Sequence, residues 1–374
     1  MTRSVWRSGN QFTLLPEGKR YIPEILAAID DANETILFEQ YLAESGHLAD
    51  RVIDALVRAA NRGVHVQVLF DGYGAKGLKQ RDRARLTQSG AALRFFNPFS
   101  TGRLSHKLTR DHRKLVLVDG RVAFTGGFCL TDDFLDKWYD IALRIEGPVV
   151  SDWSALFTKL WDSPSTQGKD SLPSLEDVML TESAEPREQG MRGRLIWGHG
   201  RRDQAIRYSL QQRISAATQR VWVYTPYFLP TLSLRRRLMA AARRGVDVRL
   251  LVAGKKHDHP SVRYTGQHYY GRLLRAGVRV YEYQPSFTHA KFCLIDDWST
   301  IGSCNFDHWS LRWNLEANQE VEDGRFAADV AALFEDNLEV SQEICPASWR
   351  QRPWRRRARE RALGTVNSWA TLLR

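Results

Sequence analysis

The chain carries two copies of one long pattern, and this duplication restricts its possible folds more than any other feature. Arg62-Gly63-Val64-His65-Val66-Gln67-Val68-Leu69-Phe70 reads as a helix end, a glycine stop and an alternating strand. Arg244-Gly245-Val246-Asp247-Val248-Arg249-Leu250-Leu251-Val252 reads the same way. Apolar residues at three-to-four spacing precede each copy, over 52–60 and 234–242, and predict amphipathic helices. Ahead of each helix a β-prone run ends in a tyrosine, Tyr41 or Tyr227. Later, Gly90 leads through Phe95-Phe96 to Pro98 as Gly277 leads through Tyr281-Glu282-Tyr283 to Pro285. Strand and helix alternate in each half, which predicts an α/β fold of two similar halves. Each half is expected to be a mostly parallel mixed sheet flanked by helices.

The first half is expected over 1–162 and the second over 191–345. A polar connection with Pro164, Pro173 and Pro186 joins them over 163–190, and a basic tail follows over 346–374. Cys129, Cys293, Cys304 and Cys345 have no paired spacing and read as reduced thiols facing a cytosol. Without a Cys-x-x-Cys pair, neither a zinc site nor another metal or cofactor is expected. The opening residues lack the apolar core of a secretory signal, and no run of about 18 apolar residues suggests a transmembrane helix.

Each half then carries a chemical signature. His112-Arg113-Lys114 is followed by Leu115-Val116-Leu117-Val118 and Asp119, then Gly126-Gly127. His289-Ala290-Lys291 is followed by Phe292-Cys293-Leu294-Ile295 and Asp296, then Gly302-Ser303-Cys304-Asn305. In an extended segment, residues two apart share a face, so each half offers an imidazole beside an ammonium. Phosphodiester transfer needs such groups. One imidazole can attack phosphorus and a second can protonate the leaving alkoxide. Two lysines can neutralise charge on the phosphoryl oxygens. One site with two histidines requires the halves to face each other, so the active site is expected at their interface.

Two acids extend the match. Asp140 lies 28 positions after His112, and Glu316 lies 27 after His289, with one residue fewer between motif Asp and small pair. A carboxylate beside an imidazole fixes its tautomer and supports its charged form. Spacing groups His112 and Lys114 with Asp140, and His289 and Lys291 with Glu316. A lone His-x-Lys pair is most often a surface feature. Two copies in matching frames with trailing acids are not explained by packing alone.

At these residues the chain resembles the phospholipase D superfamily, whose motif is His-x-Lys-x4-Asp followed by Gly-Gly/Ser-x-Asn. Leu69-Phe70-Asp71-Gly72-Tyr73-Gly74, Arg144-Ile145-Glu146-Gly147-Pro148, Asn314-Leu315-Glu316-Ala317-Asn318 and the opening Trp6-Arg7-x-Gly9-Asn10 narrow the resemblance. They resemble the bacterial cardiolipin synthases, especially the short B-type members. The resemblance implies phosphatidyl transfer through a phosphohistidine, with His112 as nucleophile and His289 as acid. It also implies phosphate binding by Lys114, Lys291, Ser303 and Asn305, with Asp119 and Asp296 belonging to the motif. Phosphatidylglycerol or phosphatidylethanolamine would be the donor and a glycerol-type alcohol the acceptor, at the cytoplasmic face of a bacterial membrane. Cys129 departs from the pattern, standing where an asparagine is usual and a thiol is a weak donor.

The net charge of +11 favours anionic partners but does not choose among them. A hydrolase or a metal-independent nuclease of the same superfamily is the alternative, although no added nucleic-acid motif is present. His257-Asp258-His259 reads as a polar loop rather than a metal site. The basic run over 350–361, with Trp354, leads into an amphipathic segment around Trp369 that suits an anionic membrane surface.

Overall fold

The structure, a computed structural model, describes residues 4–98, 109–168, 186–199, 203–308, 310–311 and 313–353. The strand–helix alternation read from the sequence builds a parallel core in each half. Thr35–Gln40, His65–Asp71 and Ala92–Phe96 pair in parallel in the first. Arg220–Thr225, Asp247–Ala253 and Arg279–Tyr283 do so in the second. The expected helices cross between them as His47–Asn61 and Leu232–Arg243. Each sheet continues antiparallel from its first parallel strand. Leu115–Val118, Val122–Gly126, Ile141–Glu146 and Arg7–Pro16 follow in the first half. Phe292–Ile295, Trp298–Gly302, Leu315–Glu322 and Met191–His199 follow in the second. Arg7–Pro16 also pairs with Met191–His199, which joins the halves into one 17-stranded sheet.

Two apolar clusters fill the outer sides of the halves and a third lies between them. The middle cluster brings Leu37 and Leu117 of the first half together with Trp222, Leu294 and Phe334 of the second. Two helices, Val150–Trp161 and Gly324–Glu339, contribute Trp153 and Phe334 to it. Polar bonds are placed inside this dry seam. The Trp153 indole donates to Gln319 at 2.9 Å, and the Asn337 amide donates to the Tyr139 hydroxyl at 2.7 Å. Buried polar groups with partners fix one relative placement of two apolar faces that could otherwise slide.

The connection is more ordered at its start than its composition suggested. Thr166–Gly168 forms an edge strand beside Ala92–Phe96, as Ser341–Glu343 does beside Arg279–Tyr283. Residues 169–185 of the expected linker lie outside the described residues. The tail begins as a helix, Pro346–Gln351, whose buried Trp349 packs 5.2 Å from Tyr270. The remainder, with Trp354 and Trp369, lies outside the described residues. Among the described residues no helix is long and apolar enough to cross a membrane.

Candidate active site

Each His-x-Lys pair lies on the extended lead-in to its strand rather than within it, just before Leu115–Val118 or Phe292–Ile295. The far ends of these strands are held by the motif aspartates. Asp119, at φ 51°, accepts from the backbone N–H groups of Asn33 at 3.0 Å, Glu34 at 2.8 Å and Thr35 at 2.9 Å. Asp296, at φ 49°, accepts from Thr218 at 3.0 Å, Gln219 at 2.9 Å and Arg220 at 3.0 Å. A short acidic side chain tolerates this left-handed backbone and caps three donors at once.

The structure therefore does not bring Asp119 and Asp296, grouped with the reacting residues in the sequence, to the reacting end. They pin the first parallel strand to the motif strand. Burial raises the Asp296 pKa, but the three N–H groups outweigh it and hold the carboxyl low. A depressed folded pKa stabilises the fold above the unfolded value and loses that contribution as pH falls through the folded one. Asp119→Ala and Asp296→Ala are each expected to cost about 2 kcal/mol of stability. Chemical denaturation at neutral pH checks this, with per-molecule activity of the folded fraction little changed.

At the opposite strand ends the halves exchange partners. His112 Nδ1 lies 3.0 Å from the Glu316 carboxylate, and His289 Nδ1 lies 2.9 Å from that of Asp140. Each imidazole is thus oriented by the acid of the other half, not by its own as the sequence spacing grouped them. The backbone imposes the exchange. His112 N–H donates to Leu315 O at 3.0 Å and His289 N–H to Tyr139 O at 2.6 Å, each the residue before the partner acid. Short parallel pairings continue the contact, with Asp111 on Leu315 and Phe287–Thr288 on Trp138–Tyr139. With Nδ1 of each ring at a carboxylate, Nε2 is the atom left for chemistry on His112, and on His289 it lies 3.1 Å from Lys291 Nζ.

The groups are almost fully buried. Lys114 Nζ donates to His112 O at 2.6 Å, and Lys291 Nζ lies 2.8 Å from His289 Nδ1. Burial lowers the His112 pKa; Glu316 opposes this, while Lys114 and Lys291 add to it. Burial, then Lys291, Lys114 and His112, push His289 far down. Charges from both halves act on both rings, so the halves form one electrostatic site. Both shifts favour the neutral imidazole. Burial raises the Asp140 carboxyl to about 7, against the pull of Lys291. Burial also lowers the Lys291 ammonium to about 8, against the attraction of Asp140. If charged Lys291 holds the phosphate, kcat/KM should fall as pH rises through about 8, because the lysine then loses its proton. A rate–pH profile in the absence of substrate saturation checks it.

Ser303 and its first-half counterpart Gly127 differ for a steric reason. The Ser303 hydroxyl donates to Glu316 at 2.5 Å and accepts from Ala317 N–H at 3.1 Å. Its proton is directed to the carboxylate, so it positions Glu316. A Cβ at Gly127 would meet the Asp140 carboxylate oxygens at 2.5 and 2.6 Å and Lys291 Nζ at 2.7 Å. Asn305 donates to Ser310 Oγ at 3.3 Å, and its buried Oδ1 has no hydrogen-bond partner among the described residues. Cys129, opposite it, is packed in the outer apolar cluster with Tyr21, and burial raises its thiol pKa.

Several neighbours were not read as site residues from the sequence. Tyr41 packs 4.9 Å from the His112 ring. Phe134, Trp138, Phe287 and Tyr227 surround His289 at 5.4 to 6.3 Å. Arg113, between His112 and Lys114, is buried in ion pairs with Glu39 at 2.6 Å and Asp111 at 3.0 Å. The His257-Asp258-His259 loop lies beside this wall: Asp258 accepts from the Tyr227 hydroxyl, and His257 packs 5.2 Å from Phe287.

A composite of two imidazoles, two ammonium groups and two exchanged carboxylates at a pseudo-twofold seam defines a phospholipase D-type site. Residues 25–161 and 210–338 match the family described as "Cardiolipin synthase, PLD-like domain", and the chain belongs to that family. Cardiolipin synthase B of Escherichia coli (strain K12) is 34% identical over 331 residues, covering 86% of this chain and 78% of that protein. The probable cardiolipin synthase YwiE of Bacillus subtilis (strain 168) is 31% identical over 347 residues, covering 91% and 68%. Among solved structures, the phosphatidylserine synthase of Haemophilus influenzae Rd KW20 superposes with a TM-score of 0.75 at 13% identity. That match covers 96% of this chain and 95% of the other, and it supports the shared fold.

Proposed function

We propose that the chain is a phosphatidyltransferase that makes cardiolipin from phosphatidylglycerol, working peripherally at the cytoplasmic face of a membrane. The observation that carries this reading is the exchanged pair of His–carboxylate contacts, which leaves two Nε2 atoms at one buried site between two lysines. His112 Nε2 attacks the phosphorus of one lipid, and the bond to its glycerol oxygen breaks. His289, which gains a proton once the bound anion offsets Lys114 and Lys291, donates it to the leaving alkoxide. The acceptor is the glycerol hydroxyl of a second phosphatidylglycerol. It gives its proton to His289, attacks phosphorus and releases His112. Lys114, Lys291 and Asn305 hold the phosphoryl oxygens throughout. Phosphatidylethanolamine fits the same steps as donor, with ethanolamine leaving.

The aromatic wall around His289 favours capture by a lipid alcohol over capture by water, because it lowers access of solvent to the base. The purified protein, incubated with phosphatidylglycerol in mixed micelles, should yield cardiolipin and free glycerol. Phosphatidic acid alone would replace the transferase reading with a hydrolase. No lipid product, together with cleavage of DNA or RNA, would replace it with a nuclease.

A further inference from the structure

Away from the two histidines, the second half carries a groove of about 780 Å³ lined by Arg207, Arg235, Arg236, Arg237 and Arg244. No carboxylate is among the described residues that line it. Among the described residues, the hydrogen bonds of these arginines go to neutral partners. Arg207 donates to the Gln204 side chain at 2.6 Å, Arg237 to Ser215 at 3.0 Å, and Arg244 to three backbone carbonyls. Arg235 stacks over Tyr269 at 4.2 Å. The Nε atoms of Arg207, Arg235 and Arg237 are buried without a hydrogen-bond partner among the described residues. Burial, with repulsion from Arg272 and Arg236, lowers the Arg235 pKa against the effect of Tyr269. Five like charges crowded around one concavity repel each other, and an anion seated among them would relieve that repulsion.

The rim is apolar as well as basic. Leu232 lines the groove and is 50% exposed, and Tyr208, next to Arg207, is 63% exposed. Exposed apolar side chains beside arginines suit the boundary between lipid headgroups and acyl chains. The groove is also tied to the catalytic end of the same half. His308 lies in its wall, donates its N–H to Leu229 O at 3.1 Å, and belongs to the short loop that carries Asn305 and Ser310.

We infer that this arginine groove is a second anionic site, which seats the phosphate headgroup of a bilayer lipid and docks the second half on an anionic membrane. The inference rests on the phospholipid reading of the active site for the choice of lipid as its occupant. A lipid held here anchors the enzyme without entering the reaction.

The test uses the full-length protein with vesicles of phosphatidylcholine alone and of phosphatidylcholine mixed with phosphatidylglycerol. Replacing Arg207, Arg236 and Arg237 by Gln should weaken binding to the anionic vesicles by about tenfold or more, since each basic residue at such a surface contributes measurably. Binding to the neutral vesicles should hardly change. Turnover of a monodisperse short-chain phosphatidylglycerol and the melting temperature should match the parent, which separates docking from chemistry and from misfolding. A second variant, Leu232→Ser with Tyr208→Ser, removes no charge and should also weaken vesicle binding. Retention of anionic-vesicle affinity within about twofold by both variants overturns the inference. So does a loss confined to a labelled oligonucleotide. If the parent turns over no short-chain lipid but still needs the groove for vesicles, the proposed function fails and the groove assignment stands.

Discussion

His112→Ala and His289→Ala are each expected to reduce phosphatidyl transfer by about 10⁴-fold or more, but to stop it at different steps. A donor with a nitrophenol leaving group needs no acid to break its P–O bond. On that donor, the His289→Ala protein should release one equivalent of nitrophenol per site and then stall, holding phosphorus on His112. The His112→Ala protein should give no burst. The adduct is stable to alkali and labile to acid, so trapping at high pH followed by peptide mapping reads its position. A burst from His112→Ala and none from His289→Ala would exchange the two roles. The unliganded electrostatics do not pre-empt this result. His289 is the more strongly lowered of the two, but Lys114 and Lys291 supply part of that effect, and both are engaged once phosphate binds.

The sequence carried the fold because its two halves corroborate each other. The glycine stops at Gly63 and Gly245, both in the left-handed region, end equivalent helices and open equivalent strands. The paired His-x-Lys motifs located the reacting groups for the same reason. Spacing along the chain could not show which half each acid serves. Asp140 and Glu316 begin or precede strands whose N-terminal ends face across the seam. Their pairing follows from contacts such as His289 N–H to Tyr139 O, which no local pattern encodes. The motif aspartates are the converse case. Asp119 and Asp296 travel with the motif because four strand residues separate them from Lys114 and Lys291, and that same run carries them away from the site. The arginine groove escaped notice because Arg207 lies far in sequence from Arg235-Arg236-Arg237 and Arg244, and meets them only when two helices pack.

The exchanged pairing makes its own kinetic signature. Glu316→Gln removes the charge that orients His112 and the acceptor of the Ser303 proton, so it should slow nucleophilic attack. Asp140→Asn removes the partner of His289, so it should slow the acid–base work. Each is expected to cost about 10²- to 10⁴-fold in overall transfer, by analogy with amide replacement of a histidine-orienting carboxylate. With the nitrophenol donor the two separate. Glu316→Gln should slow the burst itself, whereas Asp140→Asn should leave the burst fast and slow the capture by alcohol that follows. Pairing within each half, as spacing alone arranged it, predicts the reverse. The pH profile supplies a second readout. Asp140 raises the Lys291 pKa, so its neutral replacement must lower it further. The alkaline limb, expected near 8 in the parent, should move to lower pH in Asp140→Asn. It should move less in Glu316→Gln, because Glu316 attracts Lys291 more weakly than Asp140 does. An alkaline limb unmoved in Asp140→Asn would show that Lys291 titration does not control it, and would leave phosphate neutralisation to Lys114.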